Sequence, residues 1–504
     1  MLTGILWVAF VSLTNTGFGQ GGFLDASFGT GGVVITEVGT GNSVGTDIAI
    51  QTDGKILICG YTSGATVPDF AVARYNINGT LDLSFDTDGI VTTSFGGDDF
   101  AKSVKVQTDG KILVAGYFFV GVEMDFAVAR YNTDGSLDVS FDTDGKFTYG
   151  LGGLQESGSE VLIQDDGKIV IAGTAVGGDG DIMILRLDLD GSLDATFDGD
   201  GVSVVDFSGT HDVTTSAVLQ SDGKIVITGY HYDGISGEDI LLTRFNTDGT
   251  IDNTFNSVGY AFFTGFPGDD LAFSVALQAD GKIVACGSQN SGIGDGITLV
   301  RYNSDGSPDN SFDTDGGLIT NVGAVDDVGY SVLTTSDGKI LVGGKSENGT
   351  NYDLILLRYN DDGTLDNTFD GDGVSVTDYV GTDEEVNAIA LQTDGKIIAG
   401  GYTYGATLSD LTVARFFNSG TIDIHSGTNE NPFFTTYPNP STGAVHVVLK
   451  SKGASEVSVV NSLGQTILSE TVVGSTTLNI PERGIFMVVV NDGNTRYSSK
   501  IAIR

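Results

Sequence analysis

One unit repeats seven times along this chain and limits what the chain can fold into. The tripeptide Asp-Gly-Lys recurs in steps of 56, 57, 56, 58, 57 and 57 residues, beginning at Asp53, Asp109, Asp166, Asp222, Asp280, Asp337 and Asp394. An arginine recurs in step with it, at Arg74, Arg130, Arg186, Arg244, Arg301, Arg358 and Arg415. A period this regular over most of a chain indicates like units that stack on one another.

Each copy predicts four short strands and no helix. In the second copy the strands are residues 90–95, 101–107, 111–117 and 126–132. Asp109-Gly110 predicts a two-residue hairpin turn in which both residues adopt a positive φ. The many Gly-containing turns account for much of the high glycine content, 74 residues.

The fourth strand shows why the units must stack. Phe126 and Val128 point to one face, Ala127 and Tyr131 to the other, and both faces are mostly apolar. A sheet with two apolar faces needs a cover on each side. Four-stranded sheets arranged radially provide it, which favours a seven-bladed β-propeller over an open β-solenoid with polar capping units.

The ends of the repeat region predict ring closure. A Leu-Asp element, or its equivalent, occurs eight times, at residues 24–25, 81–82, 137–138, 193–194, 251–252, 308–309, 365–366 and 422–423. The extra, incomplete copy at the end is expected beside the first blade. The pattern leaves open whether the first and last blades exchange a strand.

Residues 23–424 resemble the delta-60 repeat family, a group of predicted β-propellers of unknown function. The resemblance is carried by the segments 81–85 (LDLSF), 107–112 (QTDGKI) and 125–132 (DFAVARYN) and their counterparts. The family implies no active site.

Charge and cysteine content exclude some functions. The net charge is −42, and a chain this acidic repels nucleic acid and anionic membranes. Cys59 and Cys286 occupy equivalent places in two copies, which predicts small buried residues rather than a disulfide. The sequence therefore gives no redox argument about compartment.

The expected domain order follows from both termini. Residues 1–19 read as a signal peptide, because the apolar run 5–13 is too short to span a bilayer and precedes a Gly-Phe-Gly cleavage pattern. No later segment is apolar enough to be transmembrane. The propeller is expected over residues 20–424, a polar linker over 425–431, and a separate domain over 432–504. Residues 431–504 carry six basic and four acidic side chains, unlike the acidic remainder.

The last segment predicts a small β-sandwich. Its candidate strands are residues 444–449, 456–461, 466–472, 476–480, 485–491 and 496–503, with glycine turns between most of them.

This segment resembles the type A C-terminal sorting domain of the Bacteroidetes type IX secretion system. The residues that match its motifs are Pro438, Asn439, Pro440, Gly443, Gly464, Gly484 and Lys500. Phe486 stands where that family usually has Tyr. The resemblance implies the type IX secretion machinery as a partner. It also implies that the body is released or attached to the outer surface.

Five acidic turns are candidate calcium ligands. Paired carboxylates before a Gly resemble the first half of a calcium loop, although the later Glu is missing. The alternative is ordinary turn chemistry, since Asp favours such turns. The residues are Asp86, Asp88, Asp142, Asp144, Asp198, Asp200, Asp313, Asp315, Asp370 and Asp372. No other cofactor is expected.

Two further repeated features predict contacts. Each repeat arginine lies eight residues before the Asp of the next Leu-Asp element, from Arg74 and Asp82 to Arg415 and Asp423. An arginine late in an apolar strand needs a partner, so we expect a repeated Arg–Asp bridge. The seven turn lysines are expected on one face, either as an anion-binding rim or as solvated side chains.

No catalytic constellation is visible in the sequence. Of the four histidines, His211 and His231 fall in one repeat, His425 in the linker and His446 in the last domain, and none accompanies a nucleophile motif. The favoured interpretation is a non-enzymatic secreted or cell-surface propeller. Its expected role is a binding or adhesion scaffold for a protein or glycan. The alternatives are a secreted hydrolase or lyase with a site in the central funnel, and a calcium-stabilised adhesin.

Binding is expected in the loops between the third and fourth strands, because they vary most between copies. These are residues 62–68, 118–124, 231–238, 288–295, 346–352 and 403–409.

Overall fold

The chain forms two compact units, Met1–Gly420 and Thr421–Arg504, in a computed structural model. The structure describes residues 21–63, 67–152, 155–177, 180–207, 211–232, 234, 237–290, 294–323, 325–405, 408–418, 434–437, 441, 443–450, 453–460, 466–480, 483–491 and 496–503. The predicted signal peptide and linker lie outside these residues. Within them the only helical element is a 3₁₀ turn, Phe255–Ser257, and no helix has the length and apolarity to cross a membrane.

The first unit is a ring of seven antiparallel four-stranded blades, as the repeat predicted. Blade 1 contains β2 (Ser43–Ile50), β3 (Ile56–Ser63), β4 (Pro68–Tyr75) and β5 (Ile90–Thr93). Blade 2 contains β6 (Asp99–Val106), β7 (Ile112–Val120), β8 (Glu123–Tyr131) and β9 (Lys146–Tyr149). Blade 3 contains β10 (Gln155–Ile163), β11 (Ile169–Val176), β12 (Gly180–Leu187) and β13 (Val202–Val205). Blade 4 contains β14 (His211–Leu219), β15 (Ile225–Tyr232), β16 (Glu238–Phe245) and β17 (Tyr260–Phe263).

The remaining blades follow the same order. Blade 5 contains β18 (Asp269–Leu277), β19 (Ile283–Asn290), β20 (Asp295–Tyr302) and β21 (Gly317–Thr320). Blade 6 contains β22 (Asp327–Thr334), β23 (Ile340–Glu347), β24 (Tyr352–Tyr359) and β25 (Val374–Thr377). Blade 7 contains β26 (Glu384–Leu391), β27 (Ile397–Tyr404), β28 (Ser409–Phe416) and β1 (Val33–Thr36). The first strands of neighbouring blades contact one another around the whole ring, so they are the innermost strands.

The sequence copy and the blade are out of phase by one strand. The first strand of the second copy, β5, pairs with β4 of the preceding copy, with Val91 opposite Val72. Each copy therefore supplies the outer strand of the blade before it. Sequence periodicity cannot show this, because it gives the length of a unit and not where a unit begins.

A strand exchange closes the ring, which answers the question that the repeat pattern left open. β1 from the N-terminal side pairs antiparallel with β28, with Val33 opposite Ala414 and Thr36 opposite Leu411. Blade 7 is thus built from both ends of the repeat region. Its hydrogen bonds hold the first and last copies together.

Seven apolar clusters lie between neighbouring blades and confirm the argument from two apolar faces. Between blades 1 and 2, for example, Leu57 and Phe70 pack against Val104 and Val114, and all four are buried. Cys59 lies in the same cluster and Cys286 in that between blades 5 and 6; both are buried and unpaired with each other, as predicted.

The Asp-Gly-Lys turns differ from the predicted two-residue hairpin. Gly54 has φ of 84°, whereas Asp53 is not among the residues with positive φ. The Gln51 amide donates to the Lys55 carbonyl, and the Gly54 amide donates to the Gln51 carbonyl. This is the three-residue hairpin in which a type I turn is followed by a left-handed glycine. Only the glycine needs a left-handed conformation.

The second unit has two sheets around one apolar core, a β-sandwich as predicted. One sheet contains β29 (Phe434–Tyr437), β30 (Ala444–Leu449) and β33 (Ser475–Asn479). The other contains β31 (Ser455–Val460), β32 (Thr466–Val472), β34 (Gly484–Asn491) and β35 (Arg496–Ile503). β29 was not predicted; its Phe434 is buried in the shared core.

Candidate functional site

The two ends of every blade differ in chemistry. The turn end carries the Asp-Gly-Lys turns and the Leu-Asp elements. The loop end carries the loops between the second and third strands of each blade, together with the connections between blades. The strands run between these two ends.

At the turn end the predicted Arg–Asp bridge is present in six blades. Arg130 Nε donates to Asp138 Oδ2 at 2.7 Å, and both side chains are nearly buried. The same guanidinium lies 4.5 Å from the centre of the Phe141 ring and donates to the Leu189 carbonyl of blade 3. The bridge therefore also ties neighbouring blades together. The other pairs are Arg74–Asp82, Arg186–Asp194, Arg244–Asp252, Arg301–Asp309 and Arg358–Asp366.

In blade 7 the aspartate of the bridge comes from the first Leu-Asp element, near the other end of the chain. Arg415 binds Asp25, with Nη2–Oδ2 at 2.8 Å and Nε–Oδ2 at 2.9 Å. The strand exchange causes this, because it brings the first Leu-Asp element onto blade 7. Asp423 lies outside the described residues, and the predicted pairing of Arg415 with Asp423 stays a prediction.

The seven turn lysines share these aspartates. Each ammonium lies 2.7 to 3.3 Å from the carboxylate that holds the arginine of its blade. Their side chains are half-buried, with 20 to 29% exposed. The lysines do form a ring at one end, but they serve as partners of the Arg–Asp bridge. This leaves little free charge for an anion-binding rim.

The bridge aspartates have lowered pKa values. Burial acts to raise the pKa of Asp82, but hydrogen bonds from Ser84 and the charges of Arg74 and Lys55 outweigh it. The result is a pKa of about 2. The turn end is thus a structural network of ionised, paired groups.

The ten candidate calcium ligands also lie at the turn end. The second Asp of each turn caps the next strand; Asp144 Oδ1, for example, accepts from the Lys146 amide at 2.9 Å. The first Asp has positive φ, 43° at Asp142, and its amide donates to the Asp190 carbonyl of the next blade. These contacts give every turn a structural role. Among the described residues, one group of three acidic side chains converges closely enough to hold a metal ion, and none of the ten candidates belongs to it.

The histidines of blade 4 have structural contacts. His231 is buried, its Nδ1 lies 2.6 Å from Asp212 Oδ1, and its ring stacks on Phe262. His211 Nδ1 accepts from the Gly180 amide at 3.0 Å. A general base must reach a substrate proton, and the buried His231 is shielded from one.

The loop end carries a surface of aromatic rings, all half-buried except the exposed Tyr404, that the sequence analysis did not identify. We call it the aromatic surface. Its members are Tyr61, Phe100, Tyr117, Phe119, Phe273, Tyr330, Tyr402 and Tyr404.

In blades 1 and 2 these rings touch one another. Phe100 lies 4.8 Å from Tyr61 and 5.3 Å from Tyr117, between ring centres. Phe119 stands edge-on to both Phe100 and Tyr117. Lys102 lies 5.8 Å above the Tyr117 ring. Stacked and edge-on aromatic rings with a cation beside them are suited to bind apolar and polar groups together.

An ion pair continues the surface across blades 6 and 7. Glu385 Oε2 lies 2.8 Å from Lys345 Nζ and accepts from the Tyr402 hydroxyl at 3.0 Å. Lys345 also lies 5.4 Å from the Tyr330 ring centre. Burial, and then the neighbouring Tyr404 and Glu385, raise the pKa of Tyr61. The surface therefore contains rings from blades 5, 6 and 7 and from blades 1 and 2.

The surface lies at the end where the sequence analysis placed ligand binding. Of the predicted binding loops, 118–124 and 346–352 are wholly described, and parts of the others lie outside the described residues. Phe119 belongs to the first of them. A sequence signal existed for three of the other members. A Tyr recurs six residues after the turn lysine at Tyr61, Tyr117 and Tyr402, and also at Tyr230, which is not a member.

A charged group bridges the innermost strands of blades 1 to 3. Lys105 Nζ lies 2.7 Å from Glu160 Oε1 and 3.3 Å from Asp47 Oδ2, and Ser103 bonds to both carboxylates. Burial acts to lower the pKa of Lys105, but the two carboxylates raise it well above its usual range. Lys105 is therefore protonated, and its ion pairs link blade 2 to blades 1 and 3.

The sorting-motif residues are described only in part. Gly443 precedes β30, and its carbonyl accepts from the Ile480 amide at 2.8 Å. Gly484 begins β34, and Lys500 lies in β35 opposite Met487. Pro438, Asn439, Pro440 and Gly464 lie outside the described residues.

Comparison with protein families identifies both units. The model for the β-propeller domain of unknown function DUF5122 matches seven times, at residues 51–85, 107–141, 164–197, 220–255, 278–312, 335–369 and 392–423. The chain belongs to the DUF5122 β-propeller family. The model for the secretion system C-terminal sorting domain matches residues 435–504. A type IX sorting domain implies export of this DUF5122 protein to the cell surface or secretion.

Several solved structures are similar to this chain at low sequence identity. The extracellular domain of a putative hybrid two-component system from B. thetaiotaomicron is 12% identical, with a TM-score of 0.40; the match covers 94% of this chain and 57% of that one. A virginiamycin B lyase from Staphylococcus aureus is 10% identical, with coverage of 76% and 98% and a TM-score of 0.40. A polysaccharide lyase is 12% identical, with coverage of 74% and 90% and a TM-score of 0.43. No curated protein matches this DUF5122 chain.

Proposed function

We propose that this DUF5122 protein is a non-enzymatic binding scaffold, secreted or attached to the outer surface, that holds a ligand on its aromatic surface. The observation that carries the proposal is the group of partly exposed rings that five blades contribute at the variable end. Aromatic side chains are enriched where proteins bind partners, because they offer a large contact area with few rotatable bonds. The ligand is a protein or a glycan.

The contrast between the two ends supports this assignment. At the turn end, rings such as Phe141 are buried under arginine and fill the structure. At the loop end, Phe100 and Tyr117 keep part of their surface open to solvent. Solvent-accessible rings on a constant frame are available to a partner, whereas buried rings are not.

A binding experiment tests the proposal. The mature full chain is applied to glycan and protein arrays, and each ligand found is measured again with Tyr117→Ala. We expect binding to fall at least about tenfold, since truncation of a central aromatic contact costs about 2 kcal/mol or more.

Leu83→Ala is the matched control. Leu83 is 67% exposed and belongs to the turn end, so its truncation leaves binding unchanged. Equal binding by Tyr117→Ala and the parent chain would contradict the proposed surface. Melting temperatures of both variants show that the fold is intact.

We further propose that residues 432–504 direct export through the type IX machinery. The family match to residues 435–504 supports this. Deletion of residues 432–504 is expected to retain the propeller inside the cell envelope. Immunoblotting of culture medium, surface and periplasmic fractions measures this. Undiminished appearance at the surface would exclude the role.

One observation favours the alternative of a hydrolase or lyase. Asp47 and Glu160 converge on Lys105 at the innermost strands, and burial, ahead of the opposing charge of Lys105, raises the pKa of Glu160. A carboxyl with a raised pKa is suited to general acid catalysis. Incubation of each bound glycan with the full chain and with Glu160→Gln separates the two functions. Cleavage by the parent chain alone would establish an enzyme.

A further inference from the structure

Six blades begin with a buried acid that the sequence analysis did not identify. It stands ten residues before the Asp of each turn, at Asp99, Glu156, Asp212, Asp270, Asp327 and Glu384; blade 1 has Ser43 there. All six acids are at most 1% exposed. The carboxylate accepts from the loop that joins two blades, as when Asp99 Oδ2 accepts from the Phe95 amide at 2.6 Å.

At the junction of blades 6 and 7 this acid meets two others. Glu384 begins β26, Asp353 lies in β24, and Asp378 directly follows β25. Each offers one ligand oxygen, and these oxygens all lie within 4.8 Å of one another. Three elements thus bring three carboxylates to one point.

Local hydrogen bonds hold the two blade 6 carboxylates in place. Asp353 accepts from the side-chain amides of Asn348 at 2.9 Å and Asn351 at 3.2 Å. Asp378 Oδ1 accepts from the Gly381 amide at 2.6 Å. Each carboxylate oxygen has more than one lone pair, so these bonds leave capacity for a cation.

Glu384 supplies an independent sign of a missing ligand. Its side chain is fully buried, and Oε1 accepts from the Val380 amide at 3.3 Å. Oε2 is buried and has no hydrogen-bond partner. A buried carboxylate oxygen without a partner is costly, and native structures rarely keep one unless an unseen water or ion satisfies it.

The charges of the cluster are also uncompensated within the described residues. No lysine, arginine or histidine there lies within 4.0 Å of the carboxylates of Asp353, Asp378 or Glu384. Burial, and the charges of Asp378 and Asp353, raise the pKa of Glu384 to about 7.

Blade 4 shows how the protein itself fills the equivalent position. There the acid is Asp212, and the residue opposite it on the next strand, His231, lies 2.6 Å away. In blade 7 the residue opposite Glu384 is Thr403. Threonine cannot carry a positive charge, so the described residues place no cation opposite Glu384.

We propose that Asp353, Asp378 and Glu384 bind a calcium ion at the junction of blades 6 and 7. Three carboxylates offer up to six hard oxygen ligands, the type and number that calcium prefers. The ion would offset two of the three negative charges and join blade 7, the blade that closes the ring, to blade 6. This site lies at the loop end, away from the acidic turns, and goes beyond the proposed binding role.

Calcium titration of the full chain tests the site. Protein freed of metal with EDTA is titrated with calcium chloride at pH 8, followed by calorimetry and thermal melting. We expect binding in the range of extracellular calcium modules, about 0.1 to 1 mM, and a rise in Tm of about 1–3 °C at about 5 mM calcium.

Two variants test whether these carboxylates form the calcium site. A matched variant tests whether calcium binds at the acidic turns instead. Glu384→Gln and Asp378→Asn are expected to weaken calcium binding at least about tenfold. Asp378 is exposed, so its variant keeps the test valid even if Glu384→Gln does not fold. Asp372→Asn, in an acidic turn, is expected to bind calcium as the parent chain does.

Three results would overturn the proposal. They are the absence of calcium binding and of a Tm shift in the parent chain, parent-like binding by both site variants, and loss of binding in Asp372→Asn alone. Magnesium chloride in place of calcium shows whether any shift is specific for the larger ion. None of these results depends on whether the aromatic surface binds a ligand.

Discussion

The turn end and the loop end solve the problem of buried charge in opposite ways. At the turn end every blade has a buried aspartate, and each one is paired with an arginine and a lysine; Asp138, with Arg130 and Lys111, is representative. At the loop end buried acids such as Asp270 and Glu384 retain oxygen atoms without any partner. The buried aspartates of the turn end are thus paired with cations, whereas several buried acids of the loop end are not.

This difference indicates which end of the blades serves the fold and which serves binding. A network that is identical in every blade and internally satisfied serves the fold. Unpaired acids and accessible rings destabilise the isolated chain, and groups of this kind are kept where they serve binding. Four predictions test the comparison, beginning with the largest expected effect.

Removal of one arginine should disrupt the turn end. Arg130→Ala leaves Asp138 with Lys111 alone and removes the bond to Leu189 of the next blade. We expect the free energy of unfolding to fall by about 3–5 kcal/mol, since the loss of one partner strands a buried charge. Urea denaturation followed by circular dichroism measures it. An unchanged midpoint would show that the bridges do not support the ring.

The closing blade provides a paired test of ring closure. Asp25→Ala strands Arg415 and Lys396, and we expect a loss of about 3 kcal/mol. Asp423→Ala is the control, and it should leave the thermal midpoint unchanged because Arg415 is already paired. A lower midpoint for Asp423→Ala, with no change for Asp25→Ala, would support the pairing of Arg415 with Asp423 that the sequence predicts.

At the loop end, neutralising an acid should stabilise the protein. Burial, with the nearby charge of Asp239, raises the pKa of Asp270 to about 7, above the ordinary value of 3.8. The native state therefore binds more protons between these values, and stability falls as the pH rises through that range. Asp270→Asn should be more stable than the parent chain at pH 8 by on the order of 2 kcal/mol, with the gap closing below about pH 4.

Thermal melts of both proteins at several pH values check this sign. Asp280→Asn, an exposed aspartate at the turn end, is the control and should show no pH-dependent difference. A gap of equal size at pH 5 and pH 8 would argue against a raised pKa at Asp270.

The smallest effect is expected for a turn lysine. Lys111→Ala removes a partly exposed ammonium 3.0 Å from Asp138 but leaves Arg130 in place. We expect a loss of about 1 kcal/mol or less, typical of a partly solvated ion pair. A loss as large as that of Arg130→Ala would mean that the two cations contribute equally to the network.

Much of the turn end could be predicted from the sequence, and little of the loop end. The spacing of eight residues located the partner of Arg130 because Arg130 and Asp138 are close in the chain and lie in one blade. The aromatic surface and the acidic junction join residues from different copies, such as Tyr61 with Phe100 and Asp353 with Glu384. The sequence did carry signals, in the recurring tyrosine and the acid ten residues before each turn. Neither signal shows that the side chains meet.

The sequence by itself determined the number of blades, the strands within each copy and the sandwich after them, because hydrophobic alternation and glycine turns act over a few residues. Only the tertiary structure decided which copy completes which blade, that Asp25 binds Arg415, and that rings from different copies meet. Those outcomes depend on packing between copies and on closure of the ring, which unite residues as far apart in the chain as Val33 and Ala414.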